Sequence, residues 1–247
     1  MLKNLILLVF FAQSVLGQTP YTVQLDTLTL FDNTRNRPVP VALYSPKVTK
    51  GIKKQKLVIF SHGYGKNKGG DYVAYSYLTE KLASEGYFVA SIQHELPSDS
   101  LMPLVGVPQV VRRPFWERGV ENIYFVIKQL QISHRQLDFN NIVLMGHSNG
   151  GDMTALFPQK YPRVVTKIIT LDNRRMALPK SQQVKVYSLR SSDQPADAGV
   201  LPTEADQKKY KMTIVKLLNT IHNHMDDNAS DAQRAEINGY VLQFLQD

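Results

Sequence analysis

Short apolar runs that alternate with helix-like segments constrain the fold of this chain more than any other feature. The runs Leu57–Phe60 and Ile142–Met145 are apolar at every position, as expected of strands that are covered on both faces. Similar strands are predicted at 87–93, 167–172, 184–190 and 212–218. Helical patterns lie between strands, at about 72–85, 117–132, 149–159 and 231–246. This alternation predicts an α/β fold with a mostly parallel sheet and helices on both faces.

Two further strands precede these runs and differ from them in pattern. Residues 21–32 alternate apolar and polar side chains, which is typical of a half-buried strand at the edge of a sheet. Residues 39–46 follow as the next strand, so that the predicted sheet has eight strands. The chain has no internal repeat or long linker, and residues 18–247 are expected to form one domain.

The first 17 residues have the composition of a secretory signal peptide. Lys3 is a short basic start, residues 5–12 are apolar, and Val15 and Gly17 suit the −3 and −1 positions of a cleavage site. We therefore expect a secreted or periplasmic protein with no stable membrane anchor after cleavage. The sequence contains no cysteine, which excludes disulfides, thiolate metal ligands and lipid attachment at a cysteine.

The chain is basic, because 29 lysines and arginines against 21 aspartates and glutamates give a net charge of +8. The positive residues are scattered, and no basic groove motif with interleaved aromatic residues is present. Nucleic acid is therefore not an expected partner. The charge favours contact with anionic surfaces or acidic substrates only as a general tendency.

The segment 146–150, GHSNG, lies between an apolar strand and a helical pattern. In a nucleophile elbow, a serine occupies a tight turn in this context, and flanking glycines leave room for the neighbouring strand and helix. Such a turn places the Ser148 hydroxyl at the carboxyl edge of the sheet, beside the positive end of a helix. The alternative is a glycine-rich turn in which Ser148 only caps the helix. The presence of suitable partners favours the elbow.

A second glycine-rich loop, HGYG at 62–65, directly follows the strand predicted around 57–60. A loop in this position brings one backbone N–H to the oxyanion of an acyl-transfer reaction, and the residue after the nucleophile brings another. We expect the amides of Tyr64 and Asn149 to form this oxyanion hole. His62 is interpreted as a residue that braces the loop, without a direct chemical role.

Candidate acids and bases follow the serine in the chain. Asp193 lies a few residues beyond the seventh predicted strand, within reach of a histidine on a neighbouring loop, and is the preferred acid. Asp197 and Asp172 are the alternatives, although each of these aspartates alone is a common kind of turn residue. Only His222 and His224 follow the candidate acids. His222 is the preferred base and His224 is its competitor.

With these features the chain resembles the α/β-hydrolases. The similarity extends over nearly all of the sequence after the signal peptide and follows the family's order of serine, acid and histidine. It rests on HGYG at 62–65, GHSNGG at 146–151, an acid after the seventh strand and IHN at 221–223. The resemblance implies Ser148 as nucleophile, Asp193 as acid and His222 as base. No cofactor or metal is expected.

The resemblance also bears on the substrate. Many members of the family insert a cap domain after the sixth strand, but only about a dozen residues separate Asp172 from Val184, so no large cap is expected. The stretch 94–119, which includes Trp116, either contributes apolar contacts to the substrate or is an excursion that packs on the domain. Arg174 and Arg175 either clamp an anionic substrate group or are solvated and paired with nearby aspartates.

We expect an exported serine hydrolase that cleaves small-molecule or lipid esters of carboxylic acids through an acyl-enzyme. Thioesterase, amidase or acyltransferase activity suits the same residues, because a triad specifies neither leaving group nor acceptor. A catalytically idle binding protein with this fold is the alternative from another class.

The run HNHMDD at 222–227 has part of an H-x-H-x-D-H zinc motif. No histidine follows His224, so a metal site is only the second interpretation of this run.

Overall fold

The computed structural model describes residues 20–47 and 54–247, so the predicted signal peptide lies outside the described residues. The strands are β1 Val23–Asp32, β2 Arg37–Pro46, β3 Gln55–Ser61, β4 Phe88–Ile92, β5 Leu137–His147, β6 Lys167–Leu171, β7 Lys185–Arg190 and β8 Thr213–Lys216. The helices are α1 Ser76–Ser84, α2 Pro108–Val111, α3 Arg113–Ser133, α4 Ser148–Lys160, α5 Glu204–Tyr210 and α6 Asp231–Gln246. Short 3-10 turns lie at 71–73 and 222–224.

The strands form one eight-stranded sheet in the order β1-β2-β4-β3-β5-β6-β7-β8. The pairs β1–β2 and β2–β4 are antiparallel, and all later neighbours are parallel. The prediction of a mostly parallel eight-stranded sheet is thereby confirmed, and β1 lies at the edge as its alternating pattern indicates.

Helices cover both faces of the sheet, and the alternation of side chains along β3 shows how. Leu57 and Ile59 belong to the core beneath α3 and α4, whereas Val58 and Phe60 belong to the core beneath α1 and α6. Successive side chains of a strand point to opposite faces. A strand between two helical layers therefore needs an apolar residue at every position, which explains the continuous run at 57–60.

The helix boundaries differ from the sequence-based ones where proline or polar residues obscure the pattern. α3 begins at Arg113 rather than near 117, because Pro114 lies in its first turn, where the missing N–H costs no hydrogen bond. The helix α5 is not predicted at all. It is short, and none of its residues is buried, so it has no apolar stripe to recognise.

The carboxyl ends of β3, β5, β6 and β7 meet at one edge of the sheet, because these strands are parallel neighbours. Residues 172–184, which connect β6 to β7, contain neither helix nor strand, so no layer of cap helices covers this edge there. None of the helices among the described residues is long and apolar enough to cross a bilayer.

Candidate active site

Ser148 lies at the junction of β5 and α4 in a left-handed backbone conformation, with φ of 51°. A Cβ added to Gly146 would lie 2.4 Å from the carbonyl oxygen of Gly150. One added to Gly150 would lie 2.2 Å from the carbonyl oxygen of Ser61. Both contacts are with backbone, which cannot move aside as a flexible side chain can. The glycines on either side of the serine are therefore required by the close approach of strand, turn and helix, as expected of a nucleophile elbow.

The Ser148 hydroxyl is within hydrogen-bonding distance of a histidine from the far end of the chain. Its Oγ lies 2.9 Å from Nε2 of His222, which is in the 3-10 turn after β8. His222 is buried, whereas its sequence competitor His224 is partly exposed two residues further on. Of the two late histidines, the structure brings His222 to the serine.

The other nitrogen of this imidazole contacts Asp172. Nδ1 of His222 lies 2.6 Å from Oδ2 of Asp172, the residue that directly follows β6. The structure thus places Asp172, and not the preferred Asp193, on the ring. The Asp193 carboxylate instead accepts the backbone N–H of His222 at 2.7 Å. The sequence-based preference needs this correction because Asp172 has a left-handed conformation, with φ of 54°, directly at the strand end, where it lies beside the imidazole.

Asp172 is fully buried among groups that favour its charged form. Ser191 donates both its hydroxyl, at 2.6 Å, and its backbone N–H, at 3.0 Å, to the carboxylate. Arg190 forms an ion pair of 2.8 Å with the same group. Burial alone would raise the pKa of Asp172, but the contacts with His222, Arg190 and Ser191 outweigh it and lower the pKa. An ionised Asp172 accepts a hydrogen bond from the Nδ1–H of His222, which leaves Nε2 free to accept a hydrogen bond from Ser148.

Asp197, the other alternative acid, lies away from this cluster. Its carboxylate accepts a hydrogen bond from the side chain of Gln109 at 3.1 Å, and its backbone N–H donates to the Arg174 carbonyl at 2.9 Å. It therefore stabilises a loop contact, as a turn aspartate often does.

The loop 62–65 is tied to the serine turn through Tyr75. Gly63 donates its N–H to the Tyr75 hydroxyl at 3.0 Å, and this hydroxyl lies 2.7 Å from Nδ1 of His147. Burial, followed by the proximity of His222, lowers the pKa of His147 to about 3, so the ring is neutral. Burial raises the pKa of Tyr75, so its hydroxyl stays protonated and donates a hydrogen bond to Nδ1 of His147. This link holds the loop that carries Tyr64 against the residue preceding Ser148.

His62 braces the same loop, as its position suggests. Its Nδ1 lies 2.6 Å from the Gly63 carbonyl oxygen, and its Nε2 accepts the backbone N–H of His94 at 3.1 Å. One ring nitrogen thus donates and the other accepts, the pattern of a neutral histidine. His62 connects the ends of β3 and β4 and does not line the cleft described below.

Asn149, the residue after the serine, is held by two buried partners. Its side-chain oxygen accepts the indole N–H of Trp116 at 2.8 Å, and its side-chain nitrogen donates to Glu95 at 2.9 Å. Trp116 is completely buried and does not line the cleft described below, so its contacts favour the second interpretation of 94–119, in which the stretch packs on the domain. Its ring instead fixes the residue whose backbone N–H is the candidate oxyanion donor. Glu95 was not recognised from the sequence, because nothing local marks a glutamate as buried.

Arg174 and Arg175 contact neighbouring loop residues. The Arg174 guanidinium contacts the side chain of Gln194 and the carbonyl oxygen of Pro195. The backbone N–H groups of both arginines donate to the buried carboxylate of Asp152. Neither arginine lines the cleft that contains Ser148. The alternative interpretation, solvated or paired loop arginines, fits the observed contacts better.

A cleft of about 370 Å³ opens above the serine. Ser148 and His222 line it together with His147, Tyr75 and Tyr64. The remaining lining consists of the polar residues Asp71, Asn223, Asp226 and Asn228 together with Gly63, Gly65 and Ala74. Within residues 20–47 and 54–247, no three acidic or histidine side chains are grouped so as to hold a metal ion. The zinc interpretation of HNHMDD therefore has no geometric support in this part of the chain.

Arg190 is a further residue that sequence reasoning missed. It ends β7, a buried strand, and its guanidinium also donates to the carbonyl oxygen of Asn173 at 2.7 Å. A buried arginine requires an anionic partner. The position of an arginine at the end of an apolar strand was therefore an available signal that a carboxylate lies at the neighbouring strand end.

Comparison with known families gives one match to part of the chain. The family described as platelet-activating factor acetylhydrolase, isoform II, matches residues 15–104. This range includes the loop 62–65 but stops before Ser148, Asp172 and His222. No curated protein sequence matches the chain.

Solved structures of esterases and hydrolases have a similar fold. A structure from an analysis of two fungal esterases from Rhizomucor miehei matches at a TM-score of 0.64 and 14% identity, over 94% of this chain and 84% of that chain. A putative dienelactone hydrolase from Klebsiella pneumoniae subsp. pneumoniae matches at 0.64 and 13%, over 92% of this chain and 99% of its own. A thermostable esterase matches at 0.61 and 16%, over 87% of this chain, which spans only 59% of that protein.

Proposed function

The chain has the α/β-hydrolase fold, and from that premise we propose that it is a serine hydrolase that cleaves carboxylic esters. The observation that carries the proposal is the hydrogen-bonded chain from Ser148 Oγ through both nitrogens of His222 to Asp172, at 2.9 and 2.6 Å. A hydroxyl, an imidazole and a buried carboxylate in this order form the arrangement that activates a serine for acyl transfer. The esterases among the structural neighbours support the choice of ester over other acyl substrates.

Each group in this chain has a distinct task in the proposed reaction. Ser148 transfers its proton to Nε2 of His222 as Oγ attacks the ester carbonyl carbon. The charged imidazolium that results is stabilised by ionised Asp172. His222 then gives the proton to the leaving alkoxide, and the same base activates the water that hydrolyses the acyl-enzyme.

The amides of Tyr64 and Asn149 are the proposed donors to the oxyanion. Asn149 follows the nucleophile at the beginning of α4, where backbone N–H groups lack partners within the helix. Tyr64 follows Gly63, whose position is fixed by the Tyr75 hydroxyl. Donors that are held in place before the reaction lose little energy in reorganising as charge develops on the oxygen.

A fluorophosphonate probe tests this proposal. We expect the purified chain to be labelled at a single serine, mapped by peptide mass to Ser148, and to hydrolyse p-nitrophenyl esters. Ser148→Ala should remove the label and lower kcat by ~10⁴-fold or more. His222→Ala should have a comparable effect on the rate, and His224→Ala only a small one. An unlabelled but folded chain without ester hydrolysis indicates the idle binding protein instead.

We further propose that the protein is exported, on the basis of the apolar segment and cleavage-site pattern in residues 1–17 alone. Expression of the full sequence with mass analysis of the exported product tests this. The expected mature chain begins at Gln18. A product that retains Met1 and remains in the cytoplasm contradicts the proposal.

A further inference from the structure

The loop between β4 and α3 exposes an unusual number of apolar side chains. Leu101, Leu104, Val105, Val107 and Val110 are 65%, 81%, 88%, 60% and 68% exposed. Twelve large apolar side chains are exposed among the described residues, and these five lie within ten consecutive positions. We call residues 101–110, which end in the first residues of α2, the apolar loop. A concentrated, solvent-facing apolar patch is typical of an interaction surface.

The apolar loop is held in this exposed conformation by contacts at both ends. Asn67 donates to the carbonyl oxygens of Asp99 and Ser100 at 2.8 and 3.2 Å, just before the loop. Arg112, just after it, donates to the Pro103 carbonyl oxygen at 3.0 Å. Met102 is the exception to the exposure, because it is buried and its backbone N–H binds the Tyr64 hydroxyl at 2.9 Å. These contacts anchor the backbone on either side of Leu104 and Val105.

These contacts also place the apolar loop beside the cleft. Tyr64, which holds Met102, forms part of the cleft wall that contains Ser148. The loop follows β4, which is parallel to β3, so it begins at the same edge of the sheet as the serine. On its other side, Gln109 donates to the carbonyl oxygen of Arg175, in the connection after β6. Whatever binds the loop therefore lies next to the mouth of the cleft.

The charges near the apolar loop indicate what kind of surface it binds. No acidic residue occurs in the sequence between Asp99 and Glu117, and Arg112 and Arg113 adjoin the loop. Arg113 is ion-paired with Glu117 at 2.8 Å, and Asp197 accepts a hydrogen bond from Gln109, whereas Arg112 has no ion pair among the described residues. Asp99 is itself neutralised by an ion pair with Arg37 at 2.7 Å. An apolar patch bordered by arginines complements a surface that is apolar inside and anionic outside. The net charge of +8 acts in the same direction.

We propose that the apolar loop docks the protein on an anionic phospholipid surface. The exposed side chains enter the acyl region, and Arg112 and Arg113 lie at the level of the phosphates. A second copy of the chain fits less well, because a two-fold interface through this loop would bring the arginines of both copies together. Combined with the proposed function, on which this consequence rests, docking gives the cleft access to esters held in the lipid surface.

Vesicle flotation tests the docking. We expect the chain to float with vesicles of phosphatidylcholine mixed with phosphatidylglycerol and less with phosphatidylcholine alone. Each buried apolar side chain contributes roughly tenfold in affinity, so the double variant Leu104→Ser/Val105→Ser should lower partitioning by ~100-fold. Ile132→Ser is the matched control, because Ile132 is 68% exposed but lies at the opposite end of α3 from Arg113. Arg113→Gln should weaken the preference for anionic vesicles.

Activity separates this proposal from the proposed function. The double variant should hydrolyse soluble p-nitrophenyl acetate as the parent does but lose hydrolysis of esters embedded in vesicles. Ser148→Ala should still float. Normal flotation without ester hydrolysis by the parent leaves docking intact and contradicts the hydrolase. A parent that does not float, or a double variant that floats equally well, overturns docking. A parent dimer that the double variant converts to monomer assigns the loop to self-association instead and also overturns it.

Discussion

Asp172 and Asp193 both contact His222, but at different atoms: Asp172 lies 2.6 Å from the ring nitrogen Nδ1, and Asp193 accepts the backbone N–H at 2.7 Å. The first contact sets the proton on the imidazole, and the second holds the peptide of the turn that carries it. A carboxylate is required only for the first task, because an amide oxygen also accepts a backbone N–H.

Substitution of the two aspartates by asparagine should separate these tasks. Asp172→Asn removes the charge opposite the imidazolium and allows the wrong tautomer, so we expect kcat for an ester to fall by ~10³–10⁴-fold. Asp193→Asn keeps an oxygen for the His222 N–H and should change kcat by less than ~10-fold. Steady-state kinetics on p-nitrophenyl acetate measures both. If Asp193→Asn shows the larger loss, the assignment of Asp172 as the acid is wrong.

The glycine at position 150 should not tolerate a methyl group. The added carbon of Gly150→Ala would lie 2.2 Å from the Ser61 carbonyl oxygen, so strand and helix must separate. We expect a loss of ~1–3 kcal/mol or more in the free energy of unfolding, together with loss of fluorophosphonate labelling. Gly239→Ala in α6 is the control, since nothing lies within 4 Å of the added carbon, and it should stabilise by ~0.5–1 kcal/mol. Urea unfolding of both variants provides the comparison.

Trp116 should affect kcat through Asn149, although it does not touch the cleft. Trp116→Phe keeps an aromatic ring but removes the N–H that binds Asn149 at 2.8 Å. The buried amide then loses a partner and the neighbouring backbone N–H is held less firmly, so kcat should fall by ~10-fold while KM changes little.

The control for Trp116 is Tyr161→Phe, which removes one hydrogen bond to Glu121, at 2.7 Å, elsewhere on the surface of the helices. It should lower stability slightly and leave kcat unchanged. Equal effects of the two substitutions on kcat argue against a positioning role for Trp116.

Asp152 gives a prediction of pH dependence. Burial raises the pKa of Asp152 from 3.8 to about 6, although the backbone N–H groups of Met176, Arg175 and Arg174 partly oppose this. Between these values the native state binds more protons than the unfolded chain, so Asp152 lowers the free energy of unfolding as pH rises. The penalty is absent below pH 3.8 and complete above about pH 6.

Asp152→Asn keeps an oxygen for these N–H groups and removes the titration. Relative to the parent, the free energy of unfolding of the variant should therefore increase from about pH 4 to about pH 6, by up to ~3 kcal/mol. Urea unfolding of both proteins across this range measures the difference. A difference that stays constant with pH would show that Asp152 does not carry the raised pKa.

The sheet could be predicted because strand positions depend on local pattern. Leu57–Phe60 and Ile142–Met145 are apolar at every position only because helices cover both faces, so the sequence alone indicates a central parallel strand. The elbow is equally local, since strand, turn and helix are consecutive in the chain and the glycines at 146 and 150 are required by steric contact. The serine and its setting therefore follow from one continuous segment.

The identity of the acid is not local in this sense. Asp172 and Asp193 follow adjacent strands, β6 and β7, and both reach the turn of His222. The choice between them depends on which atom of His222 each carboxylate meets, and on the burial of Asp172 beside Arg190. The same holds for Trp116, whose indole N–H bonds to Asn149, 33 residues away. The sequence by itself predicted the order of the candidate residues along the chain, with the serine first, the acid next and the histidine last. Only the tertiary structure brought Asp172 to the His222 ring and Trp116 to Asn149, because these contacts depend on distances between side chains from separate elements.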